Sequence, residues 1–174
     1  MSNTIILRNF IRAMFLLAFQ VLVLKHINLG GVGFNYISIF LYPIFFMFLP
    51  LSTPVWLAMI VGFIYGLCID YFYDTIGMHT AASVFSAYIR SVLLVILEPQ
   101  GGYKADGSPT RRQMGFIWFL RYAAIFTFLH VFFFFCVESY TFVYIVRILK
   151  FTIPSFAVSL FFVMIYSFLF DPTE

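Results

Sequence analysis

The chain has 174 residues, of which 63% are hydrophobic and 10% charged, with a formal net charge of +3 and a mean hydropathy of +1.02. Soluble domains carry roughly 25% charged residues and keep much of their surface in water. This composition therefore excludes a water-soluble fold and implies an integral membrane protein. The length leaves no room for a second domain, so residues 1–174 are expected to form one helical unit, and the small positive charge gives no basis for nucleic-acid binding.

A membrane helix needs about 20 mostly apolar residues, and six stretches are predicted to qualify. The first covers about 10–27. Arg8 and Arg12 ahead of Ala13–Leu24 look like the head and body of a signal peptide, but Lys25-His26-Ile27-Asn28 follows in place of a small-x-small cleavage site, so an uncleaved helix is expected. Gln20 is placed midway along it as an interhelical hydrogen-bonder. Gly30-Gly31-Val32-Gly33 closes the helix; this run lacks the strand-to-helix context and the Lys-Ser/Thr of a phosphate loop. The second helix, about 36–51, is short and contains Pro43, which predicts a kink or tilt. Pro54 opens the third, 54–73, and proline suits a first helical turn. The fourth, 78–97, ends at Glu98-Pro99, the long polar loop covers 98–115, and the fifth helix covers 116–137. Tyr140–Phe170 is apolar for longer than one span and is broken by Arg147 and Lys150. It is read as an interfacial segment, 140–150, leading into a sixth helix, 151–170; one tilted helix bent near Pro154 is the alternative.

Basic residues set the expected orientation. Arg8 and Arg12 precede the first helix, while Lys104, Arg111, Arg112 and Arg121 lie in or just beyond loop 98–115. With six spans both clusters share one face, which the positive-inside rule assigns to the cytoplasm together with both termini.

The third helix carries the most informative pattern. Ala58, Gly62, Gly66, Asp70 and Asp74 recur every four residues, hence on one helix face, and Gly77-Met78-His79 follows. Small residues admit a second helix closely, and a carboxylate at membrane depth is a functional suspect. The stripe is therefore read as a docking face with a polar lock at its rim. Helix four has its own small and polar stripe, His79, Ala82, Ser83, Ser86 and Arg90, and pairs with helix three as an antiparallel hairpin. His130 on the fifth helix lies at the depth of Asp70, so an Asp70–His130 contact is open. Arg90 and Arg121 are expected to snorkel. Cys68 and Cys136 read as small buried apolar residues.

Catalytic chemistry finds little footing. No His-Glu-x-x-His or Gly-x-Ser-x-Gly motif occurs, and two acids four apart on one helix leave no cleft between them. Neither a catalytic residue, a metal nor a cofactor is expected.

The stretch Gly66-Leu67-Cys68-Ile69-Asp70, a short linker, then Gly77-Met78-His79-Thr80-Ala81-Ala82 resembles the signature of the rod-shape-determining MreD family. The likeness covers about thirty residues well and the rest in size and span number; Asp74 and Arg90 fall outside it. The resemblance implies a non-enzymatic inner-membrane component of the bacterial elongation machinery that binds MreC and, through it, joins MreB, the RodA glycosyltransferase and a class B penicillin-binding protein. It also implies a fold similar to the substrate-binding subunits of energy-coupling-factor vitamin transporters, which supplies the rival reading. Those subunits dock through Ala-x-x-x-Ala on the first helix, where this chain has Ala13 and Ala18, five apart. A small proton-linked transporter using Asp70 and His130 is the third class.

Overall fold

The computed structural model describes residues 3–27, 37–103, 107–140 and 143–170. The Gly30–Gly33 run and Lys104 lie outside the described residues. All regular elements among those described are helical: α1 (Asn3–Leu22) with a 3-10 turn at Leu24–His26, α2 (Ile44–Met47), α3 (Val55–Tyr73), α4 (Met78–Ile96), α5 (Arg111–Met114), α6 (Phe116–Ser139) and α7 (Ile145–Phe170). Five of these, α1 with its 3-10 turn, α3, α4, α6 and α7, are long and apolar enough to cross a membrane. The chain is a multi-pass, all-α membrane bundle.

The ends of α3, α4 and α6 fall within two residues of the sequence expectation, because proline or glycine punctuates each apolar run. Pro54 is extended ahead of α3, while Gly77 and Gly115 take positive φ ahead of α4 and α6. At the far end of the chain, α7 is one continuous helix that begins at Ile145 and contains Pro154, so the single-helix alternative describes it and the interfacial segment 140–150 does not survive as a separate element. Its 26 residues reach about 39 Å at 1.5 Å per residue. A hydrocarbon core is ~30 Å thick, so α7 is longer than an upright crossing needs, by about the length of the turns that bear Arg147 and Lys150.

The expected second helix is the main correction. Residues 37–41 have no regular structure, α2 is a single turn, and the chain bends again before Pro50. Proline lacks an N–H and disfavours helix at the residue before it, so Pro43 and Pro50 confine any helix to the few residues between them. The segment is nonetheless enclosed: residues 39–50 are all buried, with Tyr42, Ile44, Phe46, Met47 and Phe48 wholly so. It runs beside α7 from Ser155, whose Oγ accepts the Ser38 N–H at 3.1 Å, to Tyr166, whose ring lies 6.1 Å from that of Phe48. That stretch of α7 measures about 16 Å. The segment ends at loop 98–115, where the Leu51 N–H donates to the Gly107 carbonyl at 3.0 Å.

Backbone this deep has no water to bond, so side chains must satisfy it. The Phe40 N–H donates to Ser159 Oγ at 2.9 Å, and the Leu41 N–H to Gln20 Oε1 at 2.9 Å. Gln20 Nε2 donates in turn to the Ile39 carbonyl at 2.8 Å. Lower down, Arg12 donates to the Phe48 carbonyl at 3.3 Å, and Arg90 to the carbonyls of Leu49 and Pro50.

Gln20→Leu should orphan the Ile39 carbonyl and the Leu41 N–H together. At about 1–3 kcal/mol per buried unsatisfied group, the variant should lose roughly 2 kcal/mol or more, read as a lower unfolding midpoint in micelles. Leu22→Ala, at a side chain 70% exposed to lipid, is the neutral control. Matching midpoints for the two variants would mean that Gln20 does not hold the segment.

Candidate functional site

Of the stripe predicted on the third helix, Ala58, Gly62, Gly66 and Asp70 are buried and Asp74 is exposed; Gly62, Gly66 and Asp70 face α4 of the same chain. A Cβ added at Gly62 would lie 3.0 Å from the Ser83 carbonyl oxygen and 3.4 Å from the Ala87 Cβ. At Gly66 it would lie 2.4 Å from the Thr80 Cα and 2.8 Å from the Thr80 nitrogen. Two backbones touch there, which only glycine permits. The α3–α4 interface is the most extensive between any two helices described. The spacing of four put the small residues on one face, and the hairpin connection brings that face against Thr80, Ser83 and Ala87.

Asp70 closes the hairpin at its rim. Only 4% exposed, it accepts the Thr75 hydroxyl and the His79 N–H (2.9 Å) at Oδ1, and the Thr80 N–H (2.9 Å) and hydroxyl (2.6 Å) at Oδ2. His79 and Thr80 are in the first turn of α4, whose leading N–H groups have no intrahelical acceptor and carry partial positive charge. A carboxylate on α3 thus caps α4 across the connection. The backbone completes the joint: the Asp70 carbonyl accepts the N–H groups of Asp74 and Thr75. Asp74 (φ 55°) and Gly77 (φ 76°) both take the left-handed conformation that turns the chain. Asp74 is exposed and ends α3; it joins the connection through its backbone N–H.

Histidines 79 and 130 sit in the aromatic core that holds the irregular segment. His79 Nδ1 lies 3.2 Å from the Tyr42 hydroxyl, and its ring is 4.8 Å from those of Tyr73 and Phe134. His130, fully buried, pairs through Nδ1 with Ser86 Oγ at 2.6 Å and lies 5.1 Å from the Tyr42 ring. It does not bond Asp70, whose oxygens are filled by Thr75, His79 and Thr80. Its Nε2 has no hydrogen-bond partner among the described residues.

Arg90 corrects the snorkelling expectation. At 3% exposure its guanidinium turns inward to the Leu49 and Pro50 carbonyls, whereas Arg121 is exposed. Sequence reasoning also missed the burial of Tyr42 on the segment and of Arg12, Ser155 and Ser159 beside it. Two serines four apart on an apolar helix were the available signal. Cys68 is exposed, contrary to expectation, and Cys136 is buried; both thiols are free. No group of three His, Cys, Asp or Glu able to hold a metal occurs among the described residues. Outside the membrane, burial and then the nearby Glu98 push the Tyr103 phenol above its ordinary range. It stays protonated and donates to the Leu94 carbonyl at 2.7 Å.

Above His79, at the end of the bundle away from loop 98–115, lies a cavity of about 230 Å³ whose polar lining includes Gln20, Lys25, Tyr73, Thr75, His79 and Glu138. The cavity and the joint thus share His79 and Thr75. Fold and site define a multi-pass membrane protein whose buried polar residues secure a tight helix hairpin and a broken inner segment. No family model, curated protein or solved structure matches the chain.

Gly66→Ala should cost at least the ~1–3 kcal/mol typical of overpacking, because the obstacle is the Thr80 backbone, while Gly62→Ala should cost less. Unfolding midpoints in micelles report both, and a wild-type midpoint for Gly66→Ala would rule out backbone contact between α3 and α4. For the cap, stability should fall in the order Asp, Asn, Leu at position 70. Asn keeps one acceptor oxygen, while Leu strands every donor, each bond to a charged group being worth about 1.5–3 kcal/mol. Equal stability of Asp70→Asn and Asp70→Leu would argue against a carboxylate cap.

Proposed function

We propose that the chain is a non-enzymatic scaffold of the bacterial cell-elongation complex. In this reading it lies in the inner membrane with both termini cytoplasmic and binds MreC. Through that contact it works with MreB, RodA and a class B penicillin-binding protein in controlling cell shape and peptidoglycan synthesis. One observation carries the reading. The residues that make up the resemblance to the MreD family, Gly66, Asp70, Gly77 and His79, converge on a single joint, where they pack and cap helices. A shared signature whose members serve architecture fits a protein that acts by presenting a fixed shape to partners. The basic residues Arg8, Arg111 and Arg112 support the assigned orientation.

With Gly62 and Gly66 covered by α4, a partner's membrane helix would meet the outward faces of the bundle. The rival reading, the substrate-binding subunit of an energy-coupling-factor vitamin transporter, draws support from the polar cavity of about 230 Å³. Cross-linking in native bacterial membranes, followed by identification of what travels with the chain, separates the two. MreC should be recovered; recovery of an ATPase-driven transport module without MreC would replace the scaffold with the transporter subunit.

A further inference from the structure

The cavity of about 230 Å³ above His79 holds two opposite charges that do not pair with each other. Lys25 stands in the 3-10 turn after α1, Glu138 in the last turn of α6, and both are exposed. The Lys25 ammonium donates to the Phe72 carbonyl and lies 5.6 Å from the centre of the Tyr73 ring. Two of its three N–H donors remain. Glu138 makes no hydrogen bond or ion pair among the described residues, and Arg147 of α7 adds positive charge near it without bonding it. His79, only 2% exposed, also lines the cavity. Its Nδ1 is taken by the Tyr42 hydroxyl at 3.2 Å, and Tyr42 is not part of the lining. The other ring nitrogen, Nε2, has no hydrogen-bond partner among the described residues. A buried polar atom left without a partner is costly, and a ligand in the cavity would remove that cost.

These groups select the occupant. Pockets for drug-sized ligands measure roughly 300–1,000 Å³, so a ligand here is smaller. A simple anion would face Glu138 unpaired, and a simple cation would face Lys25. A molecule with both charges satisfies both walls, each by a charge-assisted hydrogen bond. We infer that the cavity binds a small zwitterion, its ammonium held by Glu138 and its phosphate or carboxylate by Lys25, with His79 Nε2 completing the contact. The imidazole nitrogen donates or accepts according to its tautomer. The Ser38 hydroxyl, which lines the same cavity and makes no hydrogen bond among the described residues, is a second acceptor for the ammonium. Such a zwitterion can reach this end of the bundle as a free solute or as the phosphoethanolamine headgroup of a lipid. The inference does not depend on the scaffold reading, and the size of the cavity separates it from the vitamin-binding rival.

The test uses the full-length protein in phosphatidylglycerol nanodiscs, titrated calorimetrically with phosphoethanolamine, ethanolamine or inorganic phosphate. One phosphoethanolamine should bind per chain, about tenfold more tightly than either fragment. Lys25→Gln and Glu138→Gln should each weaken that binding about tenfold. Both side chains are exposed, so the unfolding midpoint should stay at its wild-type value in each variant. Phosphatidylethanolamine added to the nanodiscs separates the two sources. A lipid headgroup as the natural occupant blocks the titration, whereas a site for a free solute takes up phosphoethanolamine as before. Absence of phosphoethanolamine binding in phosphatidylglycerol nanodiscs would overturn the site. So would binding undiminished in both charge variants, or a fragment bound as tightly as the zwitterion.

Discussion

Backbone amides in hydrocarbon have no solvent to turn to, and the rest of this bundle is arranged around that constraint. A membrane helix meets it internally. The segment 37–50 does so only in its middle, where the N–H groups of Ile44 to Leu49 bond within it; on either side, where Pro43 and Pro50 break the helix, its bonds come from outside: Gln20 and Arg12 on α1, Arg90 on α4, Ser155 and Ser159 on α7. These are polar residues that a lipid-facing helix would exclude. Their presence follows from one irregular stretch lying inside the bundle, where it borrows a hydrogen-bond ladder from its neighbours. Arg90 illustrates the economy of the arrangement. An isolated buried cation is costly, yet the carbonyls of Leu49 and Pro50 need a donor, so each side supplies what the other lacks.

The hairpin of α3 and α4 and the irregular segment are one mechanical system. Asp70 fixes the first turn of α4, which includes His79. His79 in turn meets the Tyr42 hydroxyl on the segment, and about two and three turns further along α4 lie Ser86, bonded to His130, and Arg90, bonded to the segment's far end. The close approach at Gly66 sets how deeply α4 sits, and so where those groups reach. A change at the glycine ridge would be felt at Tyr42 and Pro50 through α4, without any contact between those residues and Gly66.

How much of this was legible in the sequence depends on what kind of signal each feature leaves. The limits of α3, α4 and α6 were legible because proline or glycine bounds a continuous apolar run. The 36–51 stretch was read as a helix because Phe, Leu and Ile look alike in a spanning helix and in a buried irregular chain; Pro50, placed seven after Pro43, was the informative residue. The four-residue stripe fixed a face, and spacing is silent about what that face meets. It is met by α4, a neighbour in sequence. Arg90 was misplaced for a related reason: a search for carboxylates at its depth overlooks carbonyls, which become acceptors only where a helix breaks. Arg12 was counted as a marker of orientation, and its burial follows from the same break.

These assignments also confine where the molecule can meet anything else. Asp70, Gln20, Arg12 and Arg90 are each bound within the chain, and the glycine ridge is covered. Among the concave surfaces that remain are the polar cavity above His79 and an apolar groove of about 470 Å³ between α1 and α3, nearer to loop 98–115. Their linings differ as their surroundings do: the first can offer hydrogen bonds to a solute in water, the second only carbon to a chain in lipid. Both are walled by α1 and α3, and the Gln20–Tyr73 contact that ties these two helices beyond the groove also lines the cavity. Any occupant that spreads α1 from α3 at one end must therefore strain that contact, and with it the hold of Gln20 on Ile39 and Leu41. The two ends are coupled through the same glutamine that keeps the irregular segment in place.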